Sequence, residues 1–112
     1  MLIENVSLIP AEPIYGQTLE IRVSLHNDSS TKTSEAINAT LGSPHPSFPT
    51  AVQQLRVRLG PHQRREVLLF KLIIDDRFQP GKYTIGVRIA GKSIETTQQF
   101  EIRDSEDAPK SF

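Results

Sequence analysis

Three histidines, His26, His45 and His62, are the side chains of this 112-residue sequence best suited to hold a metal or move a proton. A zinc site needs two ligands at short fixed spacing, such as HxH or HxxxH, with others converging on them. None of the three has such a neighbour, and each falls in or beside a run of turn residues. Asp75-Asp76 could offer oxygens to calcium, but a calcium loop alternates several acidic ligands along its length. The pair reads instead as a solvated strand end. There is no GxSxG elbow, no HExxH and no glycine loop able to cradle phosphate. A Ser-His-Asp triad assembles only in space, and nothing in the chain argues for one. The absence of cysteine removes disulfides, thiolate metal sites, a cysteine nucleophile and CxxC redox chemistry. The chain is therefore expected to be no enzyme and to hold no cofactor and no metal.

Charge is the next candidate for chemistry. Thirteen Lys and Arg balance thirteen Asp and Glu. The balance is uneven along the chain. Residues 1–52 set two cations against five anions, a net of −3. Residues 53–92 set nine against three, a net of +6, and residues 93–112 return to −3. Arg56 and Arg58 must share one strand face, opposite Leu55, Val57 and Leu59. If Arg88 joins that face, the three form a basic stripe. The competing expectation is that acidic strands lie beside basic ones and cancel them, with Glu20, Glu95 and Glu101 available. Nucleic acid is not expected as a partner. Single-strand binders interleave cations with exposed aromatics, and only Phe48, Phe78 and Phe112 are expected at the surface. All three asparagines head glycosylation sequons, at Asn5, Asn27 and Asn38. Such sequons have meaning only in a secretory lumen.

The elements that must carry these residues announce themselves by period-two alternation. It is clearest in Thr18–Leu25, where Leu19, Ile21, Val23 and Leu25 alternate with polar residues. It recurs in Leu55–Leu59 and Tyr83–Ile89, and more weakly in Asn5–Ile9, Ile37–Leu41 and Ile94–Ile102. No helical stripe persists, and Thr50–Leu55 reads as the lead-in to a strand. Turn residues separate the runs: Pro10 to Gly16, Asn27 to Ser30, Gly42 to Pro49, Gly60-Pro61-His62, Pro80-Gly81 and Ala90-Gly91. About seven short strands at near-regular spacing predict an all-β, two-sheet antiparallel sandwich without a disulfide. One domain is expected over 1–104, with a short edge strand around Phe48 and a flexible acidic tail over 105–112. No run approaches the roughly 20 apolar residues that span a bilayer, so membrane insertion is not expected.

One segment breaks the alternation. Val67–Ile74 is apolar on both faces, with Leu68, Phe70, Leu72 and Ile74 in one row. Val67, Leu69, Lys71 and Ile73 form the other. A sandwich strand needs only one apolar face. The second row is expected either to lie under a loop or the chain's own ends, or to be an interface. Arg64-Arg65-Glu66 and Asp75-Asp76-Arg77 flank it as charged gatekeepers.

Pro80-Gly81-Lys82-Tyr83-Thr84-Ile85 resembles the entry to strand F of immunoglobulin-like sandwiches. There a tyrosine near the strand start forms the tyrosine corner, and Tyr83 holds that place. Ile85 stands where the second disulfide cysteine would be, so the likeness is to the disulfide-free relatives. The whole layout resembles CARDB-type and late-set modules, which are similar in build to fibronectin type III. The resembling residues are the opening strand to Ile9-Pro10, Tyr15–Ile21 with Val23, Leu25 and Asn27, then Leu59-Gly60-Pro61 and Phe78–Ile85. The resemblance implies a spacer, adhesion or accessory binding module inside a larger protein, and carries over no functional residue.

The expected function is a non-enzymatic interaction or structural module that contacts a second copy or a neighbouring domain. The alternative is a carbohydrate-binding module on the same fold, disfavoured because the chain has no Trp and few exposed aromatics to stack on a sugar. Met1 to Asn5 show no secretory signal pattern. A chain complete as it stands would be cytoplasmic, and one cut from a longer polypeptide extracellular or at the cell surface.

Overall fold

The computed structural model describes residues 1–43 and 51–103. Seven strands form, all antiparallel: β1 (Leu2–Ile9), β2 (Thr18–His26), β3 (Thr33–Gly42), β4 (Ala51–Leu59), β5 (Arg64–Ile73), β6 (Gly81–Ile89) and β7 (Glu95–Ile102). They build a three-stranded sheet, β1-β2-β5, and a four-stranded sheet, β4-β3-β6-β7. The expected all-β sandwich is thus what folds, with no helix among the described residues. The stretch around Phe48, His45, and the tail 105–112 lie outside the described residues.

The alternation read from the sequence is the alternation of burial. Leu19, Ile21, Val23 and Leu25 of β2 are all fully buried, as are Ile85 and Val87 of β6. The β2 row faces Ile85 and Val87, and Ile37, Ala39 and Leu41 of the adjacent β3, across the interlayer space in one core. Each such side chain removed from water stabilises the fold by about 1.5–3 kcal/mol. β3 begins at Thr33, well before the first apolar residue of its alternation, because Ser34, Glu35 and Ala36 pair in register with Arg58, Val57 and Arg56 of β4. Pairing with a neighbour, not side-chain pattern, sets that boundary.

The register defines two ends. Leu2, His26, Arg64, Thr33, Leu59 and Glu95 lie at one, with the β2–β3 and β4–β5 connections. Ile9, Thr18, Ile73, Gly81 and Ile102 lie at the other. At the first end the β4–β5 turn is closed by Gln63 N–H donating to Gly60 O at 3.2 Å. Pro61 occupies its second position, and His62 the third at φ 55°, the place where a type II turn prefers glycine or asparagine. His62→Val is expected to cost about 1–2 kcal/mol, because a β-branched residue tolerates positive φ poorly. His62→Gly should leave the denaturation midpoint nearly unchanged. Equal midpoints for both variants would show that the backbone of this turn is not held in that conformation.

Candidate interaction surfaces

The β2–β5 pairing places Ile21 opposite Phe70 but Arg22 opposite Leu68. Leu69 is the extra residue of a β-bulge, which switches the phase of the strand. Adjacent Leu69 and Phe70 consequently both enter the core, at 4% and 9% exposure. The single row Val67, Leu69, Lys71, Ile73 expected from strict alternation is therefore split. Val67 and Leu69 turn inward, and Lys71 and Ile73 turn outward with Leu68. The chain itself covers half of the second row.

What remains outside lies on the outer face of the three-stranded sheet. Ile73 is 59% exposed, Ile9 55% and Leu68 39%. Register ties them together: Ile9 faces Glu20, Glu20 faces Lys71, and Thr18 faces Ile73. Between them runs a charged chain. Arg22 Nη2 donates to Glu20 Oε1 at 2.7 Å, and Arg22 Nη1 to Glu66 Oε1 at 3.4 Å. The hydrogen bond from Arg22 holds the Glu20 carboxyl below its ordinary range. This is an apolar fringe around a charged centre.

The outer face of the four-stranded sheet carries the basic residues. Ser34 faces Arg58, Ala36 faces Arg56 and Asn38 faces Arg88. Arg56, Arg58 and Arg88 thus share one face, near the end that holds the β4–β5 turn. Cross-strand neutralisation is present in register only. Glu95 stands opposite Arg88 and Glu101 opposite Lys82, yet none of these forms an ion pair among the described residues. Glu95 lies over Gly86 instead: a Cβ on that glycine would meet its carboxylate at 2.8–2.9 Å.

Behind this face sits Asn27, a fully buried polar residue. Its Nδ2 donates to Thr31 O at 2.8 Å, Gly60 O at 2.8 Å and Leu59 O at 3.4 Å. Its Oδ1 accepts from Ser29 N–H at 3.1 Å and Thr33 Oγ1 at 3.3 Å. One amide thereby fastens the β2–β3 loop to the β4–β5 turn. A glycan on that nitrogen is incompatible with the folded structure, so the Asn27 sequon has no use here. In the sequence Asn27 reads as a turn residue, because Leu59 and Gly60, some thirty positions away, leave no local signal.

At the opposite end the Tyr83 hydroxyl donates to Gln79 O at 2.6 Å. That is the bond of a tyrosine corner. Tyr15 donates to the neighbouring Phe78 O, also at 2.6 Å. Two phenols, one from the β1–β2 connection and one from β6, therefore hold one loop. Tyr83 stacks on Phe100 at 5.2 Å and 9°, with Phe78 tilted against it at 5.9 Å. Burial pushes the Tyr83 phenol above its ordinary pKa range. Phe78, expected at the surface, is 7% exposed, because the loop tucks its ring under Tyr83. No aromatic ring among the described residues is left open to stack on a sugar or base.

Among the described residues, the histidines and the Asp75-Asp76 pair do not converge. Asp75 accepts from Arg77 N–H and Nε at 3.0 Å each and so organises its own turn. His26 ends β2 and His62 sits in the β4–β5 turn. No cluster of three or more His, Asp or Glu that could hold a metal exists among the described residues.

No protein-family model and no curated protein sequence matches the chain. Solved structures do share its fold. The alkylpurine DNA glycosylase AlkC of Pseudomonas fluorescens, bound to DNA containing an abasic-site analogue, superimposes with a TM-score of 0.69 at 15% identity. That match covers 91% of this chain and 30% of the glycosylase. A β-glucosidase from Listeria innocua, in complex with gluconolactone, matches with a TM-score of 0.70 at 19% identity, over 92% of this chain and 16% of the enzyme. A cycloisomaltooligosaccharide glucanotransferase from Paenibacillus sp. matches with a TM-score of 0.66 at 17% identity, over 92% and 14%. The chain thus spans less than a third of each of these proteins, and at such identities the likeness is one of fold: an all-β two-sheet sandwich, compatible with an immunoglobulin-like module.

Proposed function

We propose that the chain is a non-enzymatic interaction module of the disulfide-free immunoglobulin-like kind, resembling CARDB-type, late-set and fibronectin type III-like domains. It makes protein–protein contact with a second copy or with a neighbouring domain, or spaces other domains in a larger assembly. The observation that carries this reading is the outward apolar fringe of Leu68, Ile73 and Ile9 on one sheet face. Such a fringe around a polar centre is what a modest contact surface offers. The recurrence of the fold as a small part of larger chains supports the modular side of the reading. The carbohydrate-binding alternative draws on the sugar enzymes among the neighbours, but the exposed rings that hold a sugar are wanting among the described residues.

Sedimentation velocity from micromolar to millimolar chain tests the contact. A concentration-dependent dimer is expected, and Ile73→Glu should abolish it by placing a charge in the apolar fringe. A strict monomer at the highest concentration removes the homotypic contact. A dimer that Ile73→Glu leaves intact removes this face from it.

A further inference from the structure

At the end of the β3–β4 pair that carries the β4–β5 turn lies an open cleft of ≈ 440 Å³. Lys32, Thr33 and Ser34 line one side, and Arg58, Leu59 and Gly60 the other. No carboxylate lines it. Neither Lys32 nor Arg58 forms an ion pair among the described residues, and nor does Arg56 two positions before. Arg56 reaches only Ser34 Oγ, at 3.4 Å. Arg22, Arg64 and Arg77 of the sandwich each hold a carboxylate. Lys32, Arg56 and Arg58 thus stand together with no carboxylate partner among the described residues. The carboxylates nearby are turned elsewhere: Asp28 toward the Met1 ammonium, and Glu35 toward the interior beside Val57.

The walls are also pre-set. Asn27, buried behind them, bonds Thr31 O on one side and Gly60 O on the other. A ligand would not have to order two loose loops, which is where much binding free energy is otherwise lost.

We propose that this cleft binds an extended acidic peptide segment, with carboxylates on Lys32, Arg58 and Arg56. Arg56 and Arg58 are two residues apart on one strand face, hence about 6.6–6.8 Å apart along β4. An extended segment laid over this outer face along β4 presents its own alternate side chains at the same interval. Only every second side chain of such a segment faces the cations, so acidic and apolar residues should alternate in the ligand. The absence of exposed rings among the described residues argues for peptide over single-stranded nucleic acid.

Amide-resolved NMR titration of the whole chain, dilute enough to be monomeric, tests this apart from self-contact through β5. The probe is a synthetic peptide of alternating Glu and Val, with inorganic phosphate as a second arm. Saturable shifts confined to 31–34 and 51–60 are expected. Lys32→Gln with Arg58→Gln should weaken the peptide about tenfold, the sum of two partly exposed ion pairs. Arg64→Gln with Arg65→Gln, on the other sheet, should leave affinity unchanged. Absence of saturable shifts at low salt overturns the proposal. So does equal weakening in both pairs of variants, or phosphate binding as tightly as the peptide. None of these results bears on whether the chain self-associates.

Discussion

Asn27→Ala is expected to destabilise the fold by about 2–4 kcal/mol, read as the shift in chemical-denaturation midpoint at unchanged slope. Truncation leaves the Gly60, Thr31 and Leu59 carbonyls without their donor and the Ser29 N–H without its acceptor. A buried group so stranded costs about 1–3 kcal/mol. Water can reach those nearer the surface, so the total falls below the sum. Asn27→Asp separates shape from donor. The carboxylate fits the space but turns an oxygen toward three carbonyl oxygens, so at neutral pH it should cost at least as much as alanine. Its folded-state pKa would be raised, because the charged form is the one penalised. The deficit against the parent is therefore largest above that pKa and shrinks as pH falls through it. A loss under about 0.5 kcal/mol for both variants would show that the loop and the turn stand without this amide.

Tyr83 carries the second large effect. Tyr83→Ala removes a fully buried ring stacked between Phe100 and Phe78, and the cavity should cost about 3–5 kcal/mol. Against a total of about 5–15 kcal/mol for a domain, that approaches unfolding. Tyr83→Phe keeps the ring and loses the bond to Gln79 O. It should cost about 0.5–1.5 kcal/mol. An unchanged midpoint for the phenylalanine variant would mean that ring packing alone holds this corner. The alanine variant remaining folded with a small loss would deny the aromatic cluster its place in the core.

The strands were legible because one buried face per strand imposes a period of two. Leu19, Ile21, Val23 and Leu25 could hardly do otherwise. β5 was legible as a strand but not in phase. Where every position is apolar, a bulge leaves no mark in the sequence, and Leu69 reads the same whether it faces in or out. The shared face of Arg56, Arg58 and Arg88 was readable only as a condition, since it depended on which strands became neighbours. The role of Asn27 was not readable at all. Its five bonds join residues that turns and register bring together, and the side chain itself is an ordinary loop residue. Phe78 shows the converse, a ring in a polar turn that looks solvent-exposed until Tyr83 folds over the loop.

β1 and β7 both run from the Asn27 end to the Tyr83 end, so the chain enters the sandwich at one pole and leaves at the other. Tension drawn between those poles would act along the strands. The ladder bonds of β1 to β2 and of β6 to β7 lie across that direction. They would be sheared together, as a set, and not peeled open one after another. Such a pull would load each of these ladders along its whole length at once.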